Sequence, residues 1–301
     1  MPRQAAPNGR RRRQPIPVAT AATMLAACVW AGAAFGQSGG VGSGGGGTEP
    51  PPPTGDDGTP ANFKLSKAQA APRKTYFDGR RKPRVTFSFE GDEATDVLVE
   101  VVDRTTKSVV DSWTVAGAEP DLDTSTYWDG RSSTGAVAKG GDYKYRFSAS
   151  GVRAEATAES KFSFHGYKFP VRRARHDYGD GFGAGRGHMG QDVFARCGSK
   201  LVAARGGKVQ WNKTHSAAGN YLVIDGKGTG KDFMYGHLKK RSPLKKGARV
   251  KTGEPIGKVG DTGNASGCHL HMEVWSPPGW FEGGEALPSV TRMLRKWDSW
   301  S

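Results

Sequence analysis

The sequence has little helical periodicity, few acids for its number of bases, and three cysteines in 301 residues. Apolar residues recur at helical spacing only near the C-terminus, where Val290, Met293, Leu294 and Trp297 follow Pro288. An α/β fold, which needs helices between its strands, is therefore excluded, and an all-β chain with one short C-terminal helix is expected. The 29 Asp and Glu face 44 Lys and Arg, a formal charge of +15. Such a balance favours a polyanionic partner: nucleic acid, anionic lipid or an anionic cell wall. Aromatics spaced along a basic sheet face are missing, as is any zinc-finger spacing, so no nucleic acid is expected.

The first 36 residues contain no acid and five arginines, Arg3 and Arg10 to Arg13, and without them the charge is +10 (15 − 5). The arginines precede an uncharged apolar run over 16–36, the build of an export signal. Ala34-Phe35-Gly36 offers small residues for cleavage before Gln37. The run also has the length of about 20 residues that spans a bilayer, so a retained anchor is an alternative. A third is a lipid on Cys28, since Leu25-Ala26-Ala27-Cys28 resembles a bacterial lipobox. All three place the remainder outside the cytoplasm, secreted or associated with the envelope.

Residues 37–60, rich in Gly and Pro with almost no apolar side chains, read as a linker that cannot bury enough surface to order itself. Residues 61–160 read as a small β-sandwich. Strands are expected at 85–89, 97–102, 109–115 and 143–147, with turns at Asp78-Gly79, Gly91-Asp92 and Gly140-Gly141. Trp128 is expected in the core, and Asp129 and Asp142 in turns. The stretch 127–131 with Gly135 and 140–145 resembles the Ig-like domain of flagellar hook-capping proteins, which implies a fold and no chemistry; its partner is unknown. Residues 166–301 form a second, Gly-rich β-domain, with strands expected at 201–204, 208–211, 221–225, 232–235 and 269–275.

Four of seven histidines fall in three short motifs of that second domain. In His188-Met189-Gly190-Gln191-Asp192, an extended chain puts His188 and Asp192 on one side, and Gly190 lets a metal or substrate approach. Met234-Tyr235-Gly236-His237 places a histidine at a strand end. In His269-Leu270-His271-Met272-Glu273, alternation puts His269 and His271 on one face. Two imidazoles and a carboxylate suit a catalytic zinc with one open position, and two further histidines can move protons and stabilise a developing oxyanion. His165, His176 and His215 fit no motif and read as structural or surface residues.

These motifs resemble those of the lysostaphin/LytM-type zinc endopeptidases: His-x-Gly-x-Asp, Tyr-x-His-Leu and His-Leu-His with an acidic-apolar continuation. Further matches lie at Val202-Ala203-Ala204, Gly207-Lys208-Val209, and residues 246–250 with 253–257, the last pair resembling a small β-hairpin of the family. The resemblance covers about residues 168–280. It implies one Zn2+ per chain held by His188, Asp192 and His271, catalysis by His237 and His269, and hydrolysis of a peptide bond in the stem or cross-bridge of bacterial peptidoglycan. Two alternatives stand beside it. One is a non-catalytic peptidoglycan-binding or amidase-regulating protein that keeps the metal. The other is a D-alanyl-D-alanine-type zinc peptidase, whose first ligand spacing is wider than that from His188 to Asp192. With Cys28 in the export segment, Cys197 and Cys268 remain as an even pair outside the cytoplasm. The ligand motifs beside them must meet, so a disulfide is expected.

Overall fold

The structure, a computed structural model, describes residues 63–149, 152–154, 160–185, 187–280 and 282–301. The expected export segment and linker lie outside the described residues. No helix among the described residues is long and apolar enough to cross a membrane.

The N-terminal body contains β1 (Lys64–Ala71), β2 (Lys74–Tyr76), β3 (Arg84–Glu90), β4 (Thr95–Asp103), β5 (Val109–Ala118), β6 (Thr124–Tyr127), β7 (Gly141–Ala149), β8 (Val152–Ala154) and β9 (Lys161–His165). One sheet runs β1-β3-β6; the other runs β2-β9-β7-β4-β5, with β8 on β7. Alternation sends Val85 and Phe87 inward from β3, and Tyr143, Tyr145 and Phe147 inward from β7. The two sheets meet through these residues, with the Phe87 and Phe147 rings 4.9 Å apart. Trp128 is buried as expected, and its Nε1–H donates to the Arg131 carbonyl at 2.7 Å. Asp129 is a turn former, its Oδ1 accepting the Arg131 N–H at 2.8 Å. Asp142 lies instead within β7, near Arg104 at 4.0 Å.

The C-terminal body contains β10 (His176–Tyr178), β11 (Gln191–Ala195), β12 (Lys200–Val202), β13 (Gly207–His215), β14 (Gly219–Gly226), β15 (Lys231–Leu238), β16 (Arg249–Val250), β17 (Pro255–Lys258), β18 (His269–Trp275) and α1 (Val290–Asp298). A seven-stranded sheet runs β10-β11-β18-β15-β14-β13-β16, and β12 pairs with β17 apart from it. The expected hairpin over 246–257 does not form. Its first half, β16, joins β13, while its second, β17, joins β12. Each half finds an apolar partner elsewhere, burying Val250 and Ile256 in the common core. Val290, Leu294 and Trp297 of α1 close that core from one side, at the spacing that made the helix legible.

Arg205 lies between the two bodies. It is buried, with its guanidinium carbon 4.2 Å from the Phe77 ring centroid and N–H groups donating to the Gly166 and Lys227 carbonyls. His165 stacks on Trp300 with ring centroids 4.6 Å apart. These contacts satisfy a cation that would be costly to bury alone.

Candidate metal centre

Strand β18 runs through the middle of the site. On it Leu270, Met272 and Val274 enter the apolar core, so alternation turns His269, His271 and Glu273 to the opposite face. Antiparallel register then brings Asp192 of β11 beside His271 on one side, and Gly236 of β15 on the other.

His188 reaches this face by a different route from the one its spacing suggested. It lies before β11 in a loop, not in an extended strand. Gly183, Gly185 and Gly187 take φ of +84°, +52° and +78°, a region that side chains disfavour, and so fold the loop back. Gly190 is required for a related reason. A Cβ there would stand 2.6 Å from the Met272 carbonyl oxygen and 2.8 Å from the His271 ring, so the close neighbour is the imidazole itself.

His237 arrives through a bulge. Where Asn220 pairs with Leu238 and Leu222 with Tyr235, one residue of β14 faces two of β15. His237 takes φ +55°, and its ring lies 4.5 Å from that of His269. Strict alternation after Gly236 would have sent this side chain to the core; the bulge re-aims it into the site.

Three donor atoms converge. His188 Nε2 lies 3.1 Å from Asp192 Oδ1 and 3.0 Å from His271 Nδ1, and His271 Nδ1 lies 2.9 Å from Asp192 Oδ1. Donors about 2.0–2.1 Å from a tetrahedral zinc stand about 3.3 Å from one another. The ring nitrogens facing away are all occupied. His188 Nδ1 lies 2.9 Å from the Gly181 carbonyl, and His271 Nε2 2.9 Å from Glu273 Oε1. Each of these nitrogens must carry the proton, which leaves both lone pairs pointing at the shared position. Two lone pairs and a carboxylate oxygen in mutual contact repel unless a cation lies among them, so the donor set fits a divalent metal. His237 and His269 repeat the arrangement, with Nδ1 2.7 Å from the Thr262 carbonyl and 2.8 Å from the Gly267 carbonyl. Their Nε2 atoms thereby turn toward the site, that of His269 lying 3.6 Å from Asp192 Oδ1.

Burial would raise the Asp192 carboxyl, but its hydrogen bond to His271 and the other histidines nearby hold it below the usual range, so it stays ionised. Burial would lower His271, but the hydrogen bonds to Asp192 and Glu273 outweigh it and push it up to about 9. His237 is lowered by burial, partly countered by its bond to Thr262, and is neutral near pH 7.

Glu273 went unassigned in the motif reading although it shares the face of His271. It is buried and accepts Nε1–H bonds from Trp275 at 2.6 Å and Trp280 at 3.2 Å. A carboxylate behind a metal-facing imidazole fixes its tautomer and orientation. Alternation alone, two residues on from His271, would have pointed to it. Of the remaining histidines, His176 pairs with Asp298 at 2.9 Å, His165 is buried against Trp300, and His215 is exposed. A second cluster, Cys197, Asp261 and Cys268, could hold an ion by spacing alone, but its two sulfurs lie against each other.

Two imidazoles and a carboxylate that fit a metal thus converge on one face of a β-sheet. Residues 186–285 match the sequence model of peptidase family M23. It is similar to the peptidoglycan DD-endopeptidase ShyB of Vibrio cholerae serotype O1, 36% identical over 36% of this chain and 27% of the relative. It is also similar to ShyA of the same organism, 38% identical over 29% of this chain and 20% of the relative. The chain thus spans between a fifth and about three tenths of the length of these relatives, 20% and 27%. The catalytic domain of lysostaphin from Staphylococcus simulans is 25% identical with a TM-score of 0.35, covering 40% of this chain and 92% of that one.

Proposed function

We propose that this protein is a zinc-dependent endopeptidase acting outside the cytoplasm on peptide bonds of bacterial peptidoglycan. The convergence of His188 Nε2, Asp192 Oδ1 and His271 Nδ1 carries this reading, with two further imidazoles anchored at Nδ1 on the same face. The M23 match and the peptidoglycan DD-endopeptidase activity of the Vibrio relatives support the substrate class. In this reading His188, Asp192 and His271 hold zinc, which when bound supplies a Lewis acid that polarises a carbonyl and acidifies water. His237, neutral and anchored at Nδ1, accepts a proton at Nε2 and returns it to the leaving amine. His269, anchored by the Gly267 carbonyl, directs Nε2 to the same volume, where an Nε2–H of its imidazolium form donates to the charge developing on the carbonyl oxygen. Glu273 keeps the His271 ring in register.

The sandwich over 61–160 is proposed as an Ig-like domain, and Cys197–Cys268 as a disulfide that ties the loop after β11 to the start of β18. Thiol titration of denatured, unreduced protein reads the bridge, and two free thiols would remove it. Incubation of purified peptidoglycan with the full chain, with and without chelator, tests the function. Release of peptide-cleaved fragments, identified by mass and abolished by chelator, is expected. Tight wall binding without any cleavage would replace the enzyme with a wall-binding protein.

A further inference from the structure

A cleft of about 820 Å³ opens where the two bodies meet. Its walls carry six cations: Lys74, Arg80, Arg81, Lys168, Arg172 and Arg173. Asp298 is the acidic side chain along it, and it is engaged by His176 at 2.9 Å. Some cations in other places pair with acids, as in Lys64–Glu90, Lys67–Asp123, Arg146–Glu100 and Lys227–Asp78, whereas the cleft gathers six cations around one concavity. Among the described residues, no ion pair engages any of the six cleft cations.

We propose that this cleft binds a polyanion built of phosphate groups. Four of the six cations are guanidiniums, each offering about five N–H donors in a planar fork that matches phosphate oxygens in pairs. Their placement opposes their own repulsion. Arg172 and Arg173 are consecutive, yet both line the cleft; Arg173 takes φ +48°, a conformation that costs a side-chain-bearing residue and is kept where the surroundings enforce it. Lys168 is half-buried with Nζ 4.2 Å from the Tyr76 ring centroid, and burial together with Arg172, Lys74 and Arg173 lowers its pKa. An anion of several charges relieves all of these costs at once, whereas a single carboxylate leaves most of the cations unmatched. The site is concave, which suits a chain of phosphates and not a flat bilayer.

The cleft is separate from the metal centre. On β10, His176 reaches α1 through Asp298, on the helix side of the sheet, whereas Asp192 faces the opposite side. The proposal therefore stands whether or not the protein cleaves peptidoglycan.

Calorimetric titration of the full chain with inorganic tripolyphosphate tests it, with citrate and phosphatidylglycerol vesicles as comparators. Saturable binding of tripolyphosphate, at least about tenfold tighter than citrate, is expected, weakening as salt rises. Neutralising the four guanidiniums together (R80Q, R81Q, R172Q, R173Q) should weaken binding by about tenfold or more. Neutralising four exposed cations outside the cleft (K208Q, K240Q, K245Q, R249Q) should leave it within about twofold. Equal loss in both variants would reduce the effect to net charge and overturn the site. Citrate or vesicles binding as tightly as tripolyphosphate would overturn the phosphate assignment, and absence of saturable binding would overturn the proposal outright.

Discussion

The two β-bodies use the same alternation to different ends. In β7 of the N-terminal body every second residue is buried, and the inward side chains Tyr143, Tyr145 and Phe147 pack against Trp128, Phe162 and other aromatics. The intervening residues of β7 are partly or fully exposed, so one face packs and the other meets water. In β15 and β18 of the C-terminal body nearly every residue is buried. One face enters the apolar core; the other carries His237, His269, His271 and Glu273. Polar groups can stay buried there because each has a named partner, a condition that makes such a face costly unless it is used. The comparison teaches where chemistry and stability are separable: changes on the polar face should alter the site with little loss of fold, and changes in the aromatic core should do the reverse.

His237→Ala gives the largest effect on the polar face. It should keep the metal and lower peptidoglycan turnover by about 10²–10⁴-fold, measured as release rate beside metal content. A normal rate would take His237 out of catalysis. On the other side, Trp128→Ala should destabilise by about 3–5 kcal/mol, read by denaturant unfolding of the N-terminal body, with metal content unchanged. Metal loss in the folded variant would show that the two regions are not separable. A smaller effect is expected of Glu273→Gln, which keeps the shape and loses the charge behind His271. Metal affinity should fall by about 10–100-fold in a chelator competition, with the fold retained. Unchanged affinity would make Glu273 a packing residue only.

Much of this was readable in the chain because strand alternation is a short-range rule. It placed His269 and His271 on one face. The helix over α1 was readable for the same reason, from Val290, Met293, Leu294 and Trp297. The rule failed where geometry departs from a regular strand. His188 converges on Asp192 through a folded glycine loop, and His237 through a bulge with positive φ. Strand β1, with its polar KLSKAQAA, and the short β10, β16 and β17 carry too little pattern to be distinguished from loops. The cation cleft joins residues 74–81, 168–173 and 298–301, and such long-range juxtaposition leaves no local mark.

Metal content of the purified chain tests the central claim most directly, compared between the wild type and His271→Ala, with circular dichroism as a check that both are folded. About one zinc per chain in the wild type and nearly none in the variant is the result predicted by the convergence of His188, Asp192 and His271. A folded His271→Ala protein that retains full zinc, or a zinc-free wild type that still cleaves peptidoglycan at its full rate, would contradict it.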